Sequence, residues 1–173
     1  MAMFHRRETP PAEVMARLPK DERVVSWADI ATGGVVLATP RGLWWPGTDG
    51  LRLIGWQYVD KAVWRHGRLT VTEAEVVDDL LLVDQAPLSA ELSTPRDLPA
   101  AVRKRVEANV VRSEVRAVGG GAARFVARRI PGRDGVVWWV RLERGLADTD
   151  EARSQVSAEL AVLRAEWAEA ERY

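Results

Sequence analysis

The chain has 173 residues, 47% of them apolar and 29% charged, enough for one domain or for a small domain with an extension. Its 25 basic and 25 acidic residues cancel, so no bulk charge draws it to nucleic acid or to a membrane surface. The lack of cysteine excludes disulfides, zinc–thiolate and iron–sulfur sites and a thiol nucleophile, and it fits a reducing cytoplasm.

Residues 1–20 carry charges throughout and hold no apolar core of the signal-peptide kind. No apolar run approaches the roughly 20 residues that a membrane helix needs, so a cytoplasmic chain with no membrane span is expected. Thr9-Pro10-Pro11 with Glu13 reads as a helix start, because proline is tolerated in the first turn and an acid is favourable there. That helix runs from Pro11 to Leu18, where Pro19 stops it, and residues 1–22 make an N-terminal arm.

From Arg23 the hydrophobic period changes to two. Val24 to Ile30, Val35 to Thr39, Leu43 to Trp45, Leu51 to Gln57 and Val59 to Arg65 read as extended segments. His66-Gly67 then suits a two-residue hairpin turn into Arg68 to Thr72, since both positions need positive φ. Leu80 to Val83 and the alternating stretch from Leu88 to Leu92 bring the count to about seven short strands, the pattern of an antiparallel barrel or sandwich. Asp97, or alternatively Thr94, caps a helix with Leu98, Val102, Val106 and Val110 on one stripe. Ser113 to Val118, Ala123 to Ile130 and Val136 to Arg144 form a second β unit. Asp148 with Glu151 reads as a capping box that opens a long final helix, with Val156, Leu160, Leu163 and Trp167 on one stripe. That helix packs on the three-stranded sheet or pairs with its copy in a dimer, and it lacks coiled-coil heptads.

Strands followed by one capping helix give the order of the pleckstrin-homology-like (PH-like) fold. Arg23 to Trp27, Gly34-Val35-Val36-Leu37-Ala38-Thr39 and Arg41-Gly42-Leu43-Trp44 carry the resemblance, with Gly55-Trp56-Gln57-Tyr58-Val59 and Lys61-Ala62-Val63-Trp64. The chain thus resembles bacterial PH-like domains and a group of actinobacterial proteins with this layout. The resemblance implies an α+β chain: a PH-like antiparallel β-barrel of about seven strands capped by one helix over residues 23–111. An appended three-stranded antiparallel unit with a long C-terminal helix follows over residues 112–173. Phosphoinositide-binding members carry Lys and Arg in the first hairpin loop. Here that loop is Ala31-Thr32-Gly33-Gly34, so phosphoinositide is not an expected ligand.

No catalytic constellation stands out, and no cofactor or metal is implied. His5 lies in the N-terminal tail, and His66 is explained by turn chemistry. Asp78-Asp79 and Glu73/Glu75 offer paired carboxylates, a general acid–base arrangement only if they share a cleft. The triple glycine Gly119 to Gly121 reads as a turn before it reads as an anion nest.

Eight tryptophans include the adjacent pairs Trp44/Trp45 and Trp138/Trp139. Strand neighbours point to opposite faces, so either both faces of the sheet are covered or one ring of each pair is exposed for contact. Net charge is uneven along the chain: +1 over 1–59, −4 over 60–100, +7 over 101–145 and −4 over 146–173. Within the basic stretch, Trp139 and Arg141 beside Arg124 and Arg128 would form a basic–aromatic surface. Two uses are open. Those arginines pair with the acidic last helix or with a protein partner or second copy, or they bind single-stranded nucleic acid. The leading expectation is a non-enzymatic binding or scaffolding module that works through this surface, with nucleic-acid binding as the alternative.

Overall fold

The computed structural model describes residues 8–172, and His5 lies outside the described residues. A short helix α1 (Ala12–Met15) precedes the meander β1 (Ser26–Ile30), β2 (Val35–Ala38), β3 (Gly42–Gly47) and β4 (Gly50–Gly55). A 3-10 turn at Trp56–Tyr58 leads to β5 (Val59–Arg65), β6 (Arg68–Val77), β7 (Leu81–Asp84) and β8 (Leu88–Thr94). Helix α2 (Leu98–Asn109) then runs directly into β9 (Val110–Val118), followed by β10 (Gly121–Arg128), β11 (Val137–Leu142) and α3 (Asp150–Ala170).

The strands form one eleven-stranded sheet in the order β4-β3-β2-β1-β8-β6-β7-β11-β10-β9, with β5 branching off β6. All pairings are antiparallel except β11 on β7, which is parallel through Val140 and Leu81. The expected seven-stranded β-barrel is therefore corrected to a sheet of eleven strands, not closed into a barrel, in a mixed α+β fold. Two local causes stand out. The 3-10 turn redirects the chain after β4, so β4 pairs with β3 and β5 with β6 rather than with each other. Strand β6 is ten residues long and outruns β5, so its far end carries β7 and, through it, the second β unit.

Turn chemistry sets the hairpins. His66 (φ 50°) and Gly67 (φ 75°) both take the left-handed region that a two-residue β5–β6 turn requires. Asp78 (φ 52°) and Asp79 (φ 53°) do the same between β6 and β7 without glycine, as aspartate tolerates it. The helix caps differ from their expected form. Asp97 occupies the α2 N-cap, but its carboxylate accepts from Ser26 Oγ at 2.5 Å and not from the helix. At α3 the cap is Thr149, whose Oγ1 accepts from the Ala152 amide at 3.1 Å. Asp148 instead pairs with Arg153, which also engages Asp78 in the β6–β7 turn.

Two main clusters of buried side chains result. Leu98 and Val102 of α2 pack with Ala28, Leu43, Ile54, Trp56, Val59, Leu69 and Val71. Val156, Leu160 and Leu163 of α3 pack with Leu81, Phe125, Trp138 and Val140. At roughly 1.5–3 kcal/mol for each large apolar side chain removed from water, these stripes are what hold α2 and α3 to the sheet. The N-terminal segment is also seated: Leu18 covers Trp27, Val35 and Leu37 on the outer face of the meander. No described helix is long and apolar enough to cross a membrane.

Candidate functional site

Alternation along β10 and β11 places Arg124, Val126 and Arg128 on one face with Trp139, Arg141 and Glu143. The structure does bring Arg128, Trp139 and Arg141 together, but as a seam against the first β unit and not as the open basic–aromatic surface expected. Trp139 is 7% exposed and Arg128 is 3% exposed. The Trp139 ring stacks on Tyr58 with centroids 5.8 Å apart and planes at 23°, over Ala74 and Leu82.

Arg128 Nη1 donates to the Val59 carbonyl at 3.0 Å and to Asn109 Oδ1 at 3.5 Å, and its Nη2 faces Asp60 at 3.4 Å. Burial pushes this guanidinium below its ordinary pKa, and Asp60 opposes the shift. Arg141 bridges Asp60 at 2.8 Å and Asp84 at 2.9 Å. Arg124 sits directly across from Arg141 in the β10–β11 ladder, half-exposed, with its Nε 2.8 Å from Glu143. On the opposite face Arg116 joins Glu114 to Glu159 and Glu166 of α3, with Glu159 the strongest of its partners in holding the guanidinium above its ordinary value. The basic stretch is thus largely matched by carboxylates within the fold.

Both tryptophan pairs are resolved by cover on two sides. Trp138 meets Trp167 of α3 edge-on, centroids 6.0 Å apart, while Trp139 meets Tyr58. Trp45 points into the core, and Trp44 is covered from the N-terminal side, donating its indole N–H to Glu22 at 3.2 Å. The carboxylates and His66 do not gather. Glu73 pairs with Arg52 at 2.8 Å, Asp78 pairs with Arg153, and His66 sits in the β5–β6 turn.

A different feature emerges between β5 and α2. A groove of about 800 Å³ runs between them, lined by Ala62, Val63, Trp64 and Leu69 on the sheet side. Pro99, Ala100, Val102, Arg103, Val106 and Glu107 line it on the helix side. Among the described residues β5 pairs with β6 alone, so its second edge faces this groove. The bridge from Arg128 to the Val59 carbonyl and to Asn109 fixes the start of β5 beside the end of α2. Trp64 is 40% exposed and Val63 38%, adjacent on the strand, so together they present an apolar patch beside the groove. The rim is fixed: Arg103 pairs with Glu107 at 2.8 Å, and Arg96 is held by Glu8 at 2.8 Å and Asp29 at 3.0 Å.

Sequence reasoning missed this groove. Its signal was present in Lys61-Ala62-Val63-Trp64, an extended segment ending in a large ring, beside a helix whose stripe thins from Leu98 to Val106. Comparison with family models, with curated proteins and with solved structures finds no match to this chain.

Proposed function

We propose that this chain is a non-enzymatic binding module that receives an extended segment of a protein partner along the free edge of β5. One observation carries the reading: an unpaired strand edge lies against an apolar groove of about 800 Å³ walled by α2. An edge strand offers a row of backbone N–H and C=O groups, and strand addition satisfies them with main-chain hydrogen bonds. The groove supplies what the backbone cannot, a place for alternate side chains, with Trp64 as an exposed aromatic anchor. The path β4-β3-β2-β1-β8-β6-β5 crossed by α2 is the part of the sheet we read as a PH-like half-barrel. Nucleic-acid binding through Arg124, Arg128, Trp139 and Arg141 has less support, because two of these side chains are buried and the arginines already face carboxylates or carbonyls.

The test is selection of peptides from a displayed random library on the immobilised chain, with affinities measured by fluorescence anisotropy. Ala100 is exposed on the helix wall, so Ala100→Trp fills the groove without disturbing the core. Selected peptides should lose binding to A100W. Equal binding to both proteins would place the site elsewhere.

A further inference from the structure

Resting on the groove reading, we infer that the incoming strand is acidic on one face and apolar on the other, with two carboxylates four residues apart. Alternation divides β5 into two rows. Ala62 and Trp64 pair with Val71 and Leu69, both buried, and so belong to the groove side. Lys61, Val63 and Arg65 form the other row and pair with Thr72, Thr70 and Arg68, and along the free edge Lys61 and Val63 also border the groove.

This second row is basic and uncompensated. Among the described residues neither Lys61 nor Arg65 has an ion-pair partner, although most other arginines on the sheet do. Arg65 also lies directly across from Arg68, a like-charge pair that a sheet tolerates poorly. Arg68 has one carboxylate, Glu91, at the long distance of 3.7 Å. His66 adds a third basic side chain beside a shallow hollow of about 350 Å³ lined by Val63, Arg65, His66, Arg68 and Thr70.

A strand added to the edge places its residues about 5 Å from their β5 neighbours on each face. Positions facing Lys61 and Arg65 are therefore next to cations roughly 13 Å apart along the strand, and carboxylates at i and i+4 of the incoming segment match that spacing. Positions i+1 and i+3 point toward Ala62, Trp64, Val102 and Val106 and call for apolar side chains. The same pattern rejects a second copy of this strand. Antiparallel pairing of β5 with itself in the register that overlaps residues 61–65 sets Lys61 against Arg65 twice. The occupant is thus a heterologous acidic–apolar segment and not another β5.

The probes are seven-residue peptides on a glycine–serine tail, with valine at odd positions. Glutamate, threonine and glutamate occupy positions two, four and six. The two controls replace the glutamates by lysines or by serines. Affinities are read by fluorescence anisotropy at low and high salt, against the wild-type chain and the double variant K61E/R65E. Both substituted residues are exposed, and circular dichroism confirms that the fold is kept. The glutamate peptide should bind about tenfold more tightly than the lysine peptide, lose that advantage in high salt, and reverse its order on the double variant. Equal binding of all three peptides, lost on A100W, would overturn the charge inference and leave the groove reading standing. Failure of every peptide to bind, with peptides from the random library bound equally by A100W, would overturn both.

Discussion

Tyr58 and Trp139 stack face to face across the two halves of the sheet, with ring centroids 5.8 Å apart and planes inclined by 23°. Tyr58 ends the 3-10 turn before β5, and Trp139 lies at the centre of β11. The contact therefore anchors the second β unit to the base of the strand whose far edge borders the groove. Beside it, Arg128 and Arg141 converge on Asp60, the second residue of β5. The seam holds β5 at its base and leaves residues 61–65 uncovered.

The stack predicts a measurable coupling. Trp139→Ala removes a large ring that is 7% exposed and should cost about 3–5 kcal/mol in urea unfolding. Tyr58→Ala should cost less, because Tyr58 is only half-buried. A double-mutant cycle should return about 0.5–1.5 kcal/mol of interaction between them, and strictly additive losses would mean that the rings do not stabilise one another.

The arginines predict a contrast. Arg128→Ala leaves the Val59 carbonyl and Asn109 without their donor and Asp60 with one cation fewer, at an expected cost of about 3 kcal/mol. Arg124→Ala removes a half-exposed pair with Glu143 and should change stability by less than about 0.5 kcal/mol. Chemical denaturation of the two single variants checks the difference, and equal losses would contradict the placement of Arg128 in a buried seam.

Acid should weaken the ion pairs of the second β unit. Hydrogen bonding to Arg116, the largest cause, and to Arg112 holds the Glu114 carboxyl below its ordinary value. A depressed folded-state pKa means that the unfolded chain binds the proton more readily. The stabilising contribution is therefore complete above the ordinary glutamate value of about 4.3 and is lost as pH falls through the lower folded value. Asp148, held down by Arg153 at the start of α3, acts in the same sense. Thermal unfolding between pH 3 and 6 should show the wild type losing more stability on acidification than Glu114→Gln. Parallel curves for the two proteins would contradict this.

Much of the fold was legible because it is local. The period-two runs, the His66-Gly67 turn and the Leu98–Val106 stripe each follow from neighbours in the chain. Strand β6 was read short because Glu73 and Glu75 look like loop residues. They alternate with Ala74 and Val76, and Arg52 and Gln85 meet the two carboxylates. The joining of the two units was not legible, since it rests on contacts between residues far apart in the chain: β7 beside β11 in parallel, Tyr58 on Trp139, and Asp60 with Arg128 and Arg141. Arg128 was placed on the surface because arginine is seldom buried, and only partners from two separate elements, Val59 and Asp60 of β5 and Asn109 of α2, make its burial tolerable. The groove was invisible for a similar reason: a free strand edge is defined by what fails to pair with it.

Amide hydrogen exchange of the wild-type chain, with and without a library-selected peptide, tests the central claim most directly. The outward-facing amides of residues 61–65 should exchange at least about tenfold more slowly with peptide bound, while those of β10 and β11 stay unchanged. Slowing confined to residues 112–144, with β5 exchanging as in the free protein, would contradict the account.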